Sequence, residues 1–288
     1  MLKKINYLIQ AIIIYLFFLI GRILGINLSR KIFSFIFLNL GPLFKSEKII
    51  KKNLKIYSQN ISNTEEKEII NGMWKNYGMT FIEYIHLDKL KKNGKIKIHG
   101  EQNLTNIIKN NKPVIFISGH FANFELMSMT ISKKQIPLAT IYRPLNNLFL
   151  NPLMEYLRKK FICKNQIKKG INGVREAIEY IKKNFSIALM VDQRLGESER
   201  YPFFNKPAHT TTLPAQLALR FNCDIIPIHL ERKQDNTFNM KIFDPIKINN
   251  FKNQDQNKKE ITIKINQSIE KMILKNPKQW IWTHNRWK

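Results

Sequence analysis

Cysteine is nearly absent from this chain: 288 residues hold two, Cys163 and Cys223. Two thiols without metal-ligand spacing exclude a disulfide framework and a cysteine-based zinc site. Acid is scarce as well, with 21 Asp and Glu against 48 Lys and Arg, a formal net charge of +27. Such an excess implies an anionic partner: nucleic acid, an anionic membrane or a phosphorylated substrate. The chain is also crowded with Lys, Asn and Ile, as AT-rich genomes produce, so part of the charge belongs to ordinary solvated surface. Several catalytic signatures are missing. There is no Gly-Lys-Ser/Thr phosphate loop, no G-x-G-x-x-G after a strand, no G-x-S-x-G elbow and no H-E-x-x-H. The six histidines show no metal spacing. His86, His99, His209 and His229 read as structural, and no metal or cofactor is implied.

Long apolar runs are few, and the first is the most telling. Residues 5–21, INYLIQAIIIYLFFLIG, carry no charge. Seventeen helical residues span about 25 Å, and snorkelling ends extend them toward a ~30 Å hydrocarbon core. Lys3 and Lys4 precede the run, but no small-x-small cleavage site follows, so it reads as an uncleaved membrane anchor. Basic residues after it (Arg22, Arg30, Lys31 and Lys45 onward) outnumber those before it. That bias places the body of the protein on the cytoplasmic side. A second run, residues 32–44, is too short to span and reads as an interfacial or buried helix.

The rest of the chain, long enough for one large domain or two small ones, alternates short apolar runs with helix-period stretches. Ser62-Asn63-Thr64-Glu65 fits a capping box ahead of a helical stripe that runs to Ile85. Strands are expected at 96–98, 138–142, 187–191, 225–230 and 238–243. Helices are expected at 101–110, 147–161 (interrupted near Pro152), 174–181, 210–221 and 258–274. Residues 249–259 read as a loose loop. The alternation argues for an α/β fold with a mostly parallel central sheet flanked by helices.

The chain is organised around Pro113–Met127, PVIFISGHFANFELM. Val114–Ile117 reads as a buried strand. Gly119-His120 makes the turn, and a helical pattern begins at Phe121. His120 thus stands at the lip of a sheet, where ligands of open α/β sheets bind. Glu125 follows within one turn of helix, close enough to return a carboxylate to the ring if His120 precedes the helix. A neutral imidazole takes a proton from an alcohol near pH 7, and a carboxylate on its other nitrogen fixes the tautomer. A Glu in a first helical turn is also favoured by the helix dipole alone. Two more strands end in polar clusters, Arg143-Pro144 and Asp192-Gln193-Arg194. In a parallel sheet all three ends open on one edge. Arg143 and Arg158 are candidates to grip phosphate or carboxylate. Asp192 is a candidate to hold a sugar hydroxyl, pair with an arginine or cap its loop.

Five blocks occur in one order: GHFANFE; IYRPLNN followed by Arg158; the strand ending in Asp192-Gln193; YPFFNKPAHTTT with AQLALRF; and the tail NPKQWIWTHNRWK. Together they resemble the late lipid A biosynthesis acyltransferases, the lauroyl and myristoyl transferases of the HtrB type. The similarity runs from the apolar start to the last residue. The resemblance implies an N-terminal anchor (1–26) and an acyltransferase domain (27–288) at the cytoplasmic face of the inner membrane. It implies acyl-carrier protein as donor, and as acceptor a hydroxyl on a hydroxyacyl chain of a phosphorylated glycolipid. By the same resemblance His120 and Glu125 are the catalytic pair, with Arg143, Arg158, Asp192 and Gln193 as substrate-binding residues. Amides of Phe121 and Ala122 are candidate oxyanion donors. Asn205 and Asn184 stand where the family commonly has Gly; Asn tolerates the left-handed region better than other residues. The basic surface is then matched to an anionic membrane and an acidic carrier protein, and Trp280, Trp282, Trp287, His284 and Arg286 suit a membrane interface. Two rival readings remain: an acyltransferase of the same fold acting on a lysophospholipid or another glycolipid, and a non-catalytic basic protein binding membrane or nucleic acid. No nucleic-acid module supports the last.

Overall fold

Short runs rich in Ile, Leu and Phe form strands, and longer 3.6-periodic stretches form helices, in the computed structural model. It describes residues 2–194, 198–247 and 253–288. The chain opens with α1 (Leu2–Phe44), α2 (Glu47–Tyr57), α3 (Asn63–Glu83) and α4 (Leu87–Asn93). Next come β1 (Ile96–His99), α5 (Glu101–Asn110), β2 (Ile115–Ser118), α6 (Glu125–Lys133) and β3 (Leu138–Tyr142). They are followed by α7 (Asn151–Leu157), β4 (Asn165–Lys168), α8 (Ile171–Lys182) and β5 (Ser186–Met190). A hairpin of β6 (Arg200–Phe203) and β7 (Lys206–His209) leads to α9 (Leu213–Phe221), β8 (Ile225–Arg232), β9 (Phe238–Ile242) and α10 (Gln254–Lys275).

The seven-stranded sheet has the order β1-β9-β8-β2-β5-β3-β4. From β8 to β4 every pairing is parallel; β9 runs antiparallel to β8, and β1 lies parallel to β9. The mostly parallel α/β architecture expected from the alternation is present. Its central strands are covered on both sides, so they read as unbroken apolar runs. Ile115 and Ile117 pack with α8, α9, α10 and the C-terminal tail, whereas Phe116 packs with α5 and α6 on the other face. Each such buried side chain contributes about 1.5–3 kcal/mol. Adjacent strands β2 and β5 send their connections opposite ways, β2 toward β3 and β5 toward β8. That divergence opens a crevice at their carboxyl ends, and it positions the site.

The two apolar segments near the N-terminus form one element, α1, broken at Gly25 (φ 73°, ψ 167°). The Ser29 hydroxyl donates to the Gly21 and Gly25 carbonyls at 2.7 and 2.5 Å, replacing partners lost at the break. Phe18 and Phe33 bury against Ile82 of α3. Gly78 permits this approach, since a Cβ there would lie 2.1 Å from the Phe33 carbonyl oxygen. The outer side stays bare, with Leu19 59 % and Ile23 76 % exposed. Among the described residues α1 is the one helix long and apolar enough to cross a membrane, and it is a candidate anchor.

Several local expectations are corrected. β4 and the β6–β7 hairpin had no clear sequence signal, β4 being the polar stretch NQIK and β6 and β7 each carrying a Pro. α7 begins at Asn151, with Pro152 in its first turn, where proline is tolerated. Asn253 caps α10 by accepting the Asp255 N–H at 2.8 Å, so residues 254–259 are helical. The rest of that expected loop, 249–252, lies outside the described residues apart from its boundary at Asn253. Trp280, Trp282, Trp287 and Arg286 are buried core residues rather than an interface. Asn184 and Asn205 do adopt the left-handed region, at φ 64° and 57°.

Candidate active site

β2 delivers the chain into a tight turn. The Phe121 N–H donates to the Gly119 carbonyl at 2.8 Å, and Ala122 sits at φ 46°, unusual for a residue with a Cβ. The turn is held from outside. The Thr80 hydroxyl donates to the Ala122 carbonyl at 2.9 Å, and the Ala122 N–H donates to the Gln279 carbonyl at 3.1 Å. The helix therefore begins at Glu125, not at Phe121. Both amides proposed as oxyanion donors are already engaged within the protein.

His120 is held by Asp192, which follows the adjacent strand β5. Its backbone N–H donates to Asp192 Oδ2 and its ring Nδ1 meets Oδ1, both at 2.7 Å. Trp280 Nε1–H donates to Oδ2 at 2.8 Å. Gly119 is required here: a Cβ would lie 2.7 Å from the Phe121 ring and 3.1 Å from Asp192 Oδ2. Burial of Asp192 pushes its carboxyl upward, but the His120 charge and the donated hydrogen bonds outweigh this. They hold it well below the ordinary carboxylate range. A fixed carboxylate on Nδ1 leaves Nε2 as the proton-accepting nitrogen. The Gln193 amide nitrogen lies 3.2 Å from Nε2, and Phe124 packs edge-on against the ring at 4.5 Å.

Glu125 does not make the expected contact with His120. Its Oε1 accepts from Tyr84 Oη at 2.5 Å and from Arg158 Nε at 2.8 Å, with Arg158 Nη2 at 2.7 Å. Among the described residues Oε2 has no hydrogen-bond partner. The tight turn explains the difference, because it makes Glu125 the first residue of a helix that starts four residues later than its periodicity suggests. Arg158 opens a π-turn (Arg158–Ile162) and lies over the rings of Tyr142 and Tyr84. Burial alone would lower the Arg158 pKa, but Glu125 and Tyr84 raise it above the ordinary value. Its Nε and Nη2 face Glu125, and Nη2 also reaches the Tyr84 hydroxyl.

Together these side chains line a cavity of about 530 Å³. His120, Gln193, Glu125, Arg158 and Arg143 all border it, so five of the six residues singled out in the sequence share one wall system. The sixth, Asp192, lies 2 % exposed behind His120. Ile14 and Phe18 of α1 close the far side with Phe81 and Leu150. The Tyr15 hydroxyl donates to the Phe149 carbonyl at 2.8 Å, fixing the apolar helix to the cavity rim.

Sequence reasoning missed a second polar cluster beneath the turn. Glu83, fully buried, accepts from Arg30 Nε at 2.6 Å, Arg232 Nη2 at 2.9 Å and Asn123 Nδ2 at 2.8 Å. Burial of Glu83 pushes its carboxyl upward, but Arg232 and Arg30 outweigh this and hold it below its ordinary value. Glu83 is a lone charge in an apolar stretch, MTFIEYI, and that was the one signal the sequence offered; Arg30 and Arg232 each stand beside other charged residues. The cluster ties α1, α3 and β8 to the turn that carries His120.

The sequence model of the family described as bacterial lipid A biosynthesis acyltransferase matches residues 1–288. An Escherichia coli protein named lipid A biosynthesis palmitoleoyltransferase is 26 % identical over 254 residues, covering 85 % of this chain and 80 % of that protein. A Shigella flexneri lipid A biosynthesis acyltransferase shows the same identity and coverage. A Haemophilus influenzae lipid A biosynthesis acyltransferase is 24 % identical over 268 residues, covering 89 % and 82 %.

Proposed function

The chain belongs to the bacterial lipid A biosynthesis acyltransferase family, and from that membership we propose a specific reaction. The protein moves a fatty acyl chain from an acyl-carrier-protein thioester to a hydroxyl on a hydroxyacyl chain of a phosphorylated lipid A precursor. The observation that carries this reading is a buried-carboxylate–imidazole pair at the wall of an apolar cavity that the N-terminal helix helps to close.

His120 Nε2 takes the proton of the acceptor hydroxyl, and Asp192 stabilises the imidazolium that forms. Glu125, held in place by Arg158 and Tyr84, lines the same cavity, and its free Oε2 accepts a hydrogen bond from a different donor group of the acceptor, which helps to seat it. The acceptor oxygen attacks the thioester carbonyl, and the Gln193 amide N–H faces the oxyanion. The C–S bond breaks, and the departing thiolate receives the proton from His120. No acyl-enzyme is needed, because a thioester is already activated. The acyl chains lie among Phe81, Ile14 and Phe18. α1 anchors the protein in the inner membrane with the catalytic body on the cytoplasmic side, and anionic lipid attracts the basic surface.

Mass spectrometry of lipid A from cells with and without the gene tests the reading. Loss of one acyl chain on deletion, restored by the wild-type gene, is expected. Unchanged lipid A, together with acylation of lysophosphatidate by purified protein, would replace the acceptor.

A further inference from the structure

At the rim of this cavity two cations stand together, neither in an ion pair among the described residues. β3 and β4 pair in parallel with Tyr142 opposite Lys168. The next residue on each is Arg143 and Lys169, and the Lys169 N–H donates to the Tyr142 carbonyl at 2.9 Å. Neighbouring strands lie about 4.8 Å apart, so these two residues sit side by side at adjacent strand ends. Both border the cavity. Neither side chain makes a hydrogen bond or ion pair among the described residues. Three carboxylates close by are committed: Glu125 to Arg158 and Tyr84, Glu155 to Tyr142, Asn151 and Lys168, and Asp192 to His120; Glu176 acts on Tyr142 but forms no ion pair with Arg143 or Lys169. Although Lys169 is exposed as a residue, partial desolvation of its ammonium lowers its pKa, and the neighbouring Arg143 charge lowers it further. Two like charges held at one rim are unfavourable unless an anion joins them.

We infer that Arg143 and Lys169 form a phosphate-binding site for a substrate whose acyl chain lies in the cavity. This deepens the function proposed above and rests on it for the identity of the substrate. A guanidinium fork takes two phosphate oxygens, and an adjacent ammonium supplies the second charge that a phosphate monoester needs. Arg158 already pairs with Glu125, whereas Arg143 and Lys169 have no such partner among the described residues. Phosphate reaches such a site from the acceptor or from the phosphodiester of a carrier-bound donor.

The test compares wild type with Arg143→Ala/Lys169→Ala; both residues are exposed, so the core is untouched. Transfer is measured with the phosphorylated acceptor and with the same acceptor after phosphatase treatment. It is measured again with a carrier-bound thioester and with a short thioester lacking phosphate. Wild type is expected to favour the phosphorylated acceptor by about tenfold or more in kcat/KM, and the double variant to lose that preference. If the preference collapses in the donor comparison instead, the same site holds the donor's phosphate. A preference unchanged in both comparisons overturns the inference. Binding of dodecyl phosphate to purified protein in neutral detergent, followed by calorimetry, gives a readout independent of turnover. About tenfold weaker binding by the double variant is expected. Equal binding refutes the phosphate site even if no transfer is seen, and that separates its failure from failure of the proposed reaction.

Discussion

Asp192→Asn removes one charge and almost no volume, and the geometry around Asp192 fixes its consequence. Oδ2 receives two fixed donors, the His120 and Trp280 N–H groups, while Oδ1 faces His120 Nδ1. In the variant the amide oxygen keeps the two N–H donors, and the NH₂ turns toward Nδ1. An N–H pointing at Nδ1 makes that nitrogen an acceptor and moves the ring proton to Nε2. The face toward substrate then has no base. The imidazolium formed during transfer also loses its buried counter-charge. In Ser-His-Asp triads the same substitution costs on the order of 10⁴ in rate, and a loss of about 10³–10⁴ is expected here. That corresponds to about 4–5.5 kcal/mol of barrier. The assay is kcat/KM for acyl transfer, with circular dichroism and detergent-solubilised gel filtration as controls for fold. Asp192→Asn within tenfold of wild type, beside a thousandfold loss in Glu125→Gln, would refute this reasoning and return the orienting role to Glu125.

Four further outcomes follow from the same structure. Trp280→Phe keeps an aromatic ring, at the loss of part of the buried volume, and removes one hydrogen bond to a charged acceptor, about 1.5–3 kcal/mol, so transfer should fall about 10–100-fold with KM nearly constant. Glu83→Gln leaves Arg30 and Arg232 buried without their anion and should lower stability by about 3–5 kcal/mol in urea unfolding. Gly78→Ala drives a methyl into the Phe33 carbonyl and should cost about 1–3 kcal/mol, read from the same unfolding curve. Asp192 titrates lower in the folded than in the unfolded chain, so the unfolded state binds the proton first as pH falls. Its contribution is present above about pH 4 and fades below it; Asp192→Asn should flatten that part of the stability–pH curve.

Much of this architecture is legible in the residues. Ile115–Ile117 and Ile187–Leu189 can hardly be anything but doubly covered strands, and the polar residues after them had to meet at one sheet edge. The identity of the carboxylate on His120 was not legible. The expected pairing required His120 to precede the helix, and it does, but a left-handed Ala122, fixed by Thr80 and Gln279 far away in the chain, delays the helix to Glu125, whose carboxylate turns to Tyr84 and Arg158. Asp192 was visible as a site residue, but its role depends on β5 lying beside β2, which no local pattern specifies. Glu83, Arg30 and Arg232 lie so far apart in sequence that their pairing is purely tertiary. The tail tryptophans share that difficulty: an aromatic-basic run reads as an interface until the core that buries it is known.

The central claim is that His120 Nε2 is the base for transfer to a lipid A hydroxyl. Single-turnover acylation of the phosphorylated precursor by purified protein, followed by mass spectrometry, tests it most directly. Wild type should add one acyl chain to the acceptor, and folded His120→Ala should add none above background. Acylation by His120→Ala at the wild-type rate, or none by wild type, would contradict the account.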